Sequence, residues 1–412
     1  MLTNWAGNHK YAAARVHRPG SVAELQELVA GSGRVRALGS RHSFTDLADT
    51  DGDLVSTQEL PPDIEVDAGR KVVRVAGGVR YGDLATVLAR EGWALATMAS
   101  LPHISVAGAI ATGTHGSGDR TGSLASAVVG LELVRPGGTL ESIARGDAGF
   151  DGHVVSLGAL GVVTHVTLDV EPSYEVRQDL YTDLPWDLAV EHLDELTASA
   201  YSVSLFTDWV SGRVHQVWLK SRGTTPPPDL WGAPPATSAL HMLAGADIAA
   251  ITEQMGATGP WHERLPHFRL EFTPSRGEEL QTEYLLPRER ARDAVDRLRA
   301  LAPRFAHLLQ VTEVRTIAAD TLWLSGAEGR DAVGLHFTWV RDVPAVYDVL
   351  PAIEDALLPL GARPHWGKCF AATYDDLRPL YPRLDDFRDL ALRVDPDRKL
   401  GNAFLARTLA LD

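Results

Sequence analysis

A histidine in the middle of a glycine-serine turn is the first feature of this sequence whose residue types could do chemistry. The turn is Gly39-Ser40-Arg41-His42-Ser43, and it follows a short apolar run at 35–38. A buried strand that opens into such a turn presents consecutive backbone N–H groups, which hold phosphate oxygens. A phosphate needs no imidazole, so we expect a separate role for His42. The alternative is an ordinary surface turn with a solvated histidine.

A second stretch, residues 99–118, consists almost wholly of small side chains. Small side chains bury little apolar area each, so this stretch cannot build a dense core. They do allow a large flat ligand to approach the backbone closely. Together with the turn at 39–43, this stretch predicts one long cofactor with a pyrophosphate in its middle.

Polar residues alternate along two segments that we predict to be neighbouring strands. Glu313 and Arg315 are two residues apart, as are His336 and Thr338, so each pair shares one face of its strand. Carboxylate, guanidinium, imidazole and hydroxyl together form a set that binds several hydroxyl groups at fixed spacing. The alternative is that both pairs lie on the solvent-facing sides of amphipathic strands. A further cation, Lys368, follows in a His-Trp-Gly-Lys sequence.

Together these segments resemble the flavin-binding domain of the vanillyl-alcohol oxidase family. The matching sequences are Gly-Ser-Arg-His-Ser at 39–43 and Ser-Leu-Pro-His-Ile-Ser-Val-Ala-Gly-Ala-Ile-Ala-Thr-Gly-Thr-His-Gly-Ser-Gly at 100–118. Within that family the chain is most similar to the alditol oxidases, from Asn4 to Phe404, which is nearly the whole sequence. The His-Trp-x-Lys sequence at 365–368 resembles one shared by the alditol and aldonolactone oxidases.

The resemblance implies an FAD cofactor that is bonded covalently, through its 8α-methyl carbon, to a ring nitrogen of His42. Arg41 stands where relatives often have glycine, and we expect this change to alter the contacts of the loop without abolishing the linkage. Cys369 lies far along the chain, so a second linkage through cysteine is not expected. The residues implied to contact the cofactor are Leu38, Gly39, Ser40, Arg41, His42, Ser43, Ser100, Ser105, Gly108, Thr112, Gly113, Thr114, His115, Gly161 and Val162.

The resemblance also implies a substrate pocket above the flavin ring. Its two cations, Arg315 and Lys368, are expected to stabilise the developing alkoxide on the terminal carbon of the substrate. His336 is the candidate base, because imidazole titrates near neutral pH. The remaining polar side chains are expected to bind the next hydroxyls. The implied catalytic residues are Arg315, Lys368, His336 and Glu313, and the implied substrate-binding residues are Ser100, Glu313, Arg315, Thr338 and Lys368.

The implied reaction is oxidation of the terminal primary hydroxyl of an alditol, such as xylitol or sorbitol, to the aldose. Hydride passes to flavin N5, and dioxygen then reoxidises the flavin to give hydrogen peroxide. The alternative enzyme is an aldonolactone oxidase acting on a gulono-, galactono- or arabinono-1,4-lactone; the stretch at 100–108 and the Glu313/Arg315 pair favour the alditol oxidase. A third possibility is a flavin-holding or sugar-binding protein without turnover, which requires the mixed-charge patch to be exposed.

Composition limits the partners and the compartment. The 412 residues carry a formal net charge of −15, which argues against nucleic acid and anionic membrane surfaces as partners. Cys369 is the only cysteine, so neither an intrachain disulfide nor a cysteine-rich metal site can form. His262 and His267 are separated by Pro266, so they do not form a zinc helix and no metal is expected. Without a leader or a long apolar run, we expect a cytoplasmic monomer whose partners are a polyol and dioxygen.

The elements that position these residues are predicted strands and helices in mixed order, which favours an α+β fold over a doubly wound parallel sheet. Ser21 followed by Glu24 predicts a capped helix, and Ser105 is predicted to cap a short helix that starts at Val106. We predict an FAD-binding domain of the PCMH type at 1–172 and a substrate-binding cap domain with an antiparallel sheet at 173–373. The segment 374–412 is expected to return to the FAD-binding domain.

Overall fold

The structure is a computed structural model that describes residues 2–224, 226, 228–272 and 278–411. Within these ranges the helices are α1 Val22–Gly31, α2 Tyr81–Arg90, α3 Val106–Ala111, α4 Phe150–Val154, α5 Trp186–Glu191, α6 Leu193–Ala198, α7 Trp261–Arg264, α8 Ala291–Leu301, α9 Val343–Leu357, α10 Tyr374–Leu377, α11 Leu384–Val394 and α12 Ala403–Leu409. The strands are β1 Arg15–His17, β2 Val35–Leu38, β3 Asp53–Ser56, β4 Ile64–Asp67, β5 Val72–Ala76, β6 Trp93–Ala94, β7 Val128–Val134, β8 Leu140–Ala144, β9 Val162–Asp169, β10 Glu171–Pro172, β11 Glu175–Pro185, β12 Ser202–Thr207, β13 Arg213–Arg222, β14 Thr258–Pro260, β15 Glu279–Pro287, β16 Leu309–Ile317, β17 Ala332–Val340 and β18 Arg363–Pro364. Among the described helices, none combines the length and the apolar character needed to cross a membrane.

The first part of the chain builds a small parallel sheet and a five-stranded antiparallel sheet. The parallel sheet has the order β1-β3-β2, and the antiparallel sheet has the order β4-β5-β9-β7-β8. Strand β2 ends at Leu38, so the turn at 39–43 leaves the parallel sheet at the end of a buried strand. The sheet therefore fixes the position at which that turn begins.

The second large sheet has eight strands in the order β14-β11-β13-β12-β16-β17-β15-β18, all antiparallel to their neighbours. Along β17 the apolar side chains of Leu335, Phe337 and Trp339 join a core that includes residues of α8 and α9. Because side chains alternate across a strand, the intervening His336 and Thr338 lie on the opposite face of the sheet. The helices thus cover one face of this sheet and leave the other for a cavity.

The C-terminal helices pack beside the turn at 39–43. Phe387 and Phe404 belong to the same core as the five-stranded sheet. The Asn402 side-chain amide donates to the backbone carbonyls of Leu47 and Asp49, both at 2.9 Å. These contacts join the end of the chain to the segment that follows His42.

The α+β prediction is confirmed, and most predicted elements occur with bounds shifted by a few residues. Ser21 caps α1 as predicted, since its hydroxyl accepts a hydrogen bond from the Glu24 N–H. The sequence predicts a strand at 283–286, and the observed strand is longer, at 279–287, because polar and buried residues alternate from Glu279 onward. The sequence also predicts a helix at 289–301, which begins instead at Ala291.

Candidate active site

One elongated cavity is lined by both parts of the chain. We call its first part the small-residue lobe, which includes Gly39, Ser40, Ser43, Ser105, Gly108, Thr112, Gly158 and Gly161. We call its second part the polar face, which consists of Glu283, Glu313, Arg315, His336, Thr338 and Lys368. The arrangement places a region of exposed backbone next to a region of concentrated charge.

Ser40 and Ser105 hold the small-residue lobe together. The Ser105 N–H donates to the Ser40 hydroxyl at 3.0 Å, and the Ser40 N–H donates to the Ser105 hydroxyl at 3.3 Å. Ser105 occupies the N-cap position of a short helix that begins at Val106, as predicted, but its side chain makes no capping bond because it contacts the turn instead. A Cβ atom on Gly39 or Gly108 would lie 2.7 or 2.8 Å from the Ser105 hydroxyl oxygen, so a larger residue at either position would displace this hydroxyl.

The imidazole of His42 is partly buried and is held in one orientation. Its ring stacks on Trp5 with centroids 5.6 Å apart, and its Nδ1 lies 3.0 Å from the Ser40 hydroxyl oxygen. Burial, with the nearby His103 and Arg41, lowers the pKa of His42 to about 4. The imidazole is therefore neutral at physiological pH and keeps a nitrogen lone pair for bond formation. Arg41 adopts the left-handed backbone conformation, at φ 64°, that glycine favours.

The small-residue lobe fits an anionic, flat cofactor. Among the described residues that line the cavity between 5 and 163, none is aspartate or glutamate, whereas Arg36 and Arg41 are present. Arg36 is fully buried and donates to the carbonyls of Leu47, Leu157, Gly158 and Leu400. It thereby fixes three chain segments around the lobe. Asp46 and Asp395 act on its charge from a distance, and no ion pair within 4.0 Å forms with a described carboxylate. A diphosphate-containing cofactor matches this local charge.

The polar face is built by side chains that lie opposite one another on three strands. His336 on β17 pairs with Glu283 on β15 and with Glu313 on β16. Arg315, which follows Glu313 by two residues on β16, lies opposite Gly334 on β17. A Cβ atom at Gly334 would lie 3.3 Å from Glu283 Oε1, so the glycine leaves room for this carboxylate.

The charges on the polar face balance. Lys368 Nζ lies 2.6 Å from Glu283 Oε2, and Arg315 Nη2 lies 3.1 Å from Glu283 Oε1. Burial disfavours the ionised form of Glu283, but Lys368, Arg315 and His115 outweigh it and hold the pKa of this carboxyl well below its ordinary value. With Glu313, the face carries two carboxylates and two cations, an arrangement that can stay ionised without water.

His336 lies between the two carboxylates with both ring nitrogens buried and without a hydrogen-bond partner. Burial, followed by the field of Lys368, lowers the pKa of His336 well below its ordinary value, so its imidazole is neutral. The group therefore does not titrate near neutral pH, which was the reason for expecting a base at this position. A buried nitrogen without a partner is costly unless a ligand supplies one. The ring thus marks the point at which a hydroxyl from the cavity can bind.

The structure brings most of the predicted site residues together on this cavity. Ser100 connects the two parts, because its hydroxyl accepts a hydrogen bond from Arg315 Nη1 at 3.2 Å. Gly113 and Val162 do not line the cavity: Gly113 sits in a turn after α3 against Val155, and the Val162 side chain packs in the core beneath β2. The predicted residues that do line it are Leu38, Gly39, Ser40, Arg41, His42, Ser43, Ser100, Ser105, Gly108, Thr112, Thr114, His115, Gly161, Glu313, Arg315, His336, Thr338 and Lys368. The four residues predicted at the centre of the patch, Glu313, Arg315, His336 and Thr338, are at most 8% exposed, which rejects the solvent-facing alternative.

Sequence reasoning missed Glu283, the carboxylate that binds both cations. The signal was present as alternation in β15, where Glu279, Gln281 and Glu283 all line the cavity and the residues between them are buried. His267 was also missed, after its rejection as a zinc ligand; its Nε2 lies 2.9 Å from Glu313 Oε1. The described residues contain no group of three or more His, Cys, Asp or Glu side chains placed to hold a metal ion.

Comparisons with known proteins show which proteins this chain is similar to. Residues 13–144 match a family model described as FAD binding domain, and residues 273–408 match one described as D-arabinono-1,4-lactone oxidase. The chain is 52% identical to an alditol oxidase from Streptomyces sp., over 98% of each sequence. The chain belongs to the alditol oxidase family.

This member of the alditol oxidase family also has more distant relatives. It is 30% identical to an L-gulono-1,4-lactone dehydrogenase from Mycobacterium tuberculosis, over 99% of each sequence. Its fold is similar to that of a cholesterol oxidase from B. sterolicum, with a TM-score of 0.80, 16% identity and coverage of 99% of this chain and 96% of the other. This fold carries an FAD-binding domain and a second domain with a large antiparallel sheet, as the sequence predicted.

Proposed function

We propose that this protein is an FAD-dependent oxidase that converts the terminal primary hydroxyl of an alditol, such as xylitol or sorbitol, to the aldose. The observation that carries the proposal is the buried imidazole of His336, which lacks partners and lies between two carboxylates and two cations. A polyol offers several hydroxyls, each a donor and an acceptor, which complement such a surface. The similarity to an alditol oxidase across nearly the whole chain supports the same substrate class.

The protein side chains bind the substrate and move its proton. Arg315 and Lys368 have donors only, so they stabilise an oxyanion that develops at the terminal carbon. His336 is neutral and accepts the proton of that hydroxyl. Ser100, Glu313 and Thr338 bind the hydroxyls that follow along the chain. Burial of Arg315, His336, Glu313 and Thr338 strengthens their interactions, because water screens them little.

His42 is proposed to attach the flavin covalently through its 8α-methyl carbon. The support is its neutral, partly buried imidazole beside the small-residue lobe. When bound, FAD would supply the two-electron chemistry, which is acceptance of hydride from the terminal carbon and transfer of two electrons, with two protons, to dioxygen to give hydrogen peroxide.

The test is the visible spectrum of the purified protein under anaerobic conditions, before and after addition of xylitol. Loss of the flavin band is expected, and Lys368→Met should slow that loss by on the order of 10²-fold or more, since an oxyanion-binding cation is removed. Lys10→Met is the matched control, because Lys10 is exposed and does not line the cavity. A flavin band that xylitol leaves unchanged in the native protein would reject the alditol oxidase proposal.

The second candidate is oxidation of an aldonolactone. It is favoured by the match of residues 273–408 to the D-arabinono-1,4-lactone oxidase model and by the 30% identical lactone dehydrogenase. The same anaerobic experiment with L-gulono-1,4-lactone separates the two. Faster bleaching by the lactone than by xylitol would replace the first proposal with the second.

A further inference from the structure

A buried lysine lies behind the polar face, on β13. Lys220 is 1% exposed, and its ammonium donates to the carbonyls of Leu265 at 2.6 Å and Pro266 at 2.9 Å. Its third contact is with His267 Nδ1, at 3.1 Å. These three contacts use all three N–H donors of the ammonium, and none of them is to a carboxylate.

His267 connects this lysine to the polar face. The ring is 4% exposed, and its centroid lies 5.1 Å from that of Trp218. Its Nδ1 faces Lys220, and its Nε2 lies 2.9 Å from Glu313 Oε1. The three side chains therefore form a continuous chain of contacts that ends at the cavity.

The donors and acceptors along this chain determine one another. An ionised carboxylate has no donor, so the Nε2 atom that faces Glu313 must donate. A neutral imidazole carries a single N–H, which leaves Nδ1 to accept from Lys220. Burial lowers the pKa of Lys220 to about 7, and this amine keeps N–H donors in either protonation state. Burial, with the charge of Lys220, lowers the pKa of His267 to about 4, so the ring is neutral at physiological pH.

Glu313 receives this N–H on Oε1, and its Oε2 lies 3.8 Å from Arg315 Nη1, beyond hydrogen-bond distance. Burial disfavours the charge on Glu313, but Arg315 and His267 hold the pKa of this carboxyl well below its ordinary value. An ionised carboxylate with one oxygen occupied presents the other as an acceptor to the cavity that Glu313 lines.

We propose that Lys220 and His267 are positioning residues that fix the Nε2–H tautomer, so that Glu313 stays ionised and accepts a hydrogen bond from a polyol hydroxyl. This inference rests on the proposed function for the identity of the substrate. The tautomer itself is a property of the free protein and does not depend on any substrate.

The chain offers a matched pair of variants at His267. His267→Phe keeps an aromatic ring beside Trp218 and removes both nitrogens. His267→Gln keeps a donor group, the amide NH₂, and an acceptor, the amide oxygen, on a planar side chain. It thereby reproduces the polarity of the Nε2–H tautomer. Anaerobic reduction by xylitol, followed over a range of concentrations, gives the dissociation constant and the limiting rate separately. We expect His267→Phe to raise the dissociation constant about tenfold or more and His267→Gln to stay within about threefold of the native value.

A double-mutant cycle separates positioning from general structural damage. In the Glu313→Gln background, His267→Phe should add no further loss of xylitol affinity, because the residue through which it acts is already changed. An equal loss in both backgrounds would show that His267 acts elsewhere and would overturn the proposal. Flavin content and melting temperature identify any variant that fails to fold.

Histidine ¹⁵N NMR of the native protein tests the tautomer without substrate. The His267 resonances, assigned by their absence in His267→Gln, should show hydrogen on Nε2 and none on Nδ1. An Nδ1–H tautomer or a protonated ring at neutral pH would overturn the proposal. If xylitol fails to reduce the native flavin but NMR shows the Nε2–H tautomer, the substrate assignment fails while the arrangement at Glu313 stands.

Discussion

The ammonium of Lys368 lies 2.6 Å from the carboxylate of Glu283; the carboxylate is buried and the lysine is partly buried. The same carboxylate accepts from Arg315, so one negative charge binds the two cations of the polar face. This arrangement keeps both cations in fixed positions before a substrate enters. Preorganised charges stabilise a developing oxyanion without the cost of reorientation during the reaction.

The first prediction concerns this shared carboxylate. Glu283→Gln keeps the size of the side chain and removes the charge that fixes Lys368 and Arg315. We expect the limiting rate of anaerobic flavin reduction by xylitol to fall by on the order of 10²-fold, because the two cations repel each other and lose their positions. Glu278→Gln, at an exposed position just before β15, is the control. A Glu283→Gln rate within about threefold of the native rate would mean that the cations are positioned by other contacts.

The second prediction concerns the space beside Glu283. In Gly334→Ala the new methyl group would lie 3.3 Å from Glu283 Oε1 and 3.4 Å from Ile317 Cδ1. We expect a loss of about 1–3 kcal/mol in the free energy of unfolding from overpacking, and slower flavin reduction from displacement of the carboxylate. Gly130→Ala on β7 is the control, since its nearest contact would be an ordinary 3.5 Å. Urea denaturation and stopped-flow spectroscopy measure the two effects, and an unaltered reduction rate would contradict the second.

The strands of the polar face could be predicted because their periodicity is local. Two polar residues at i and i+2 share a face whatever the rest of the fold, so the pairs on β16 and β17 follow from the sequence. The pairing of His336 with Glu283 and Glu313 joins strands separated by tens of residues, and a local pattern contains no information on that register. The proximity of Lys368 to these pairs followed from family resemblance alone.

Glu283 and Lys220 were missed for different physical reasons. Glu283 was placed at the start of a short predicted strand, so the alternation that begins at Glu279 was not seen. Lys220 lies near the end of a hairpin strand, where a lysine is normally solvated. Its burial depends on the carbonyls of Leu265 and Pro266, which a distant loop supplies. Such three-dimensional compensation of a buried charge is not visible in one sequence.

The third prediction concerns the attachment of the cofactor. His42→Ala removes the ring nitrogen proposed to bond the flavin, so acid-precipitated protein should carry no flavin, whereas the native protein should remain yellow. Arg41→Gly is the matched variant in the same turn: glycine accepts the backbone angle of φ 64° without strain, and its flavin should stay attached. Flavin that is released by acid from the native protein would contradict covalent attachment.

The fourth prediction concerns the pH dependence of stability and the carboxyl group of Glu354 on α9. This side chain is 4% exposed, and its Oε1 accepts from the Tyr284 hydroxyl at 2.9 Å and from the Ala371 N–H at 2.8 Å. Burial raises the pKa of Glu354 to about 7, against an ordinary value near 4.5. Between these two values the folded protein binds more protons than the unfolded chain, so its free energy of unfolding falls as pH rises.

Glu354→Gln should remove this dependence, because the amide keeps an acceptor for Tyr284 and Ala371 and never ionises. The shift corresponds to about 3 kcal/mol, so the variant should gain stability relative to the native protein as pH rises from 5 to 8, by up to about that amount. Asp355→Asn, at the exposed next position of α9, should keep the native slope. Asp320, whose pKa burial raises to about 6, contributes equally to all three proteins and cancels in the comparison. Parallel stability curves for the native protein and Glu354→Gln would show that this carboxyl is already ionised in the folded state at pH 5.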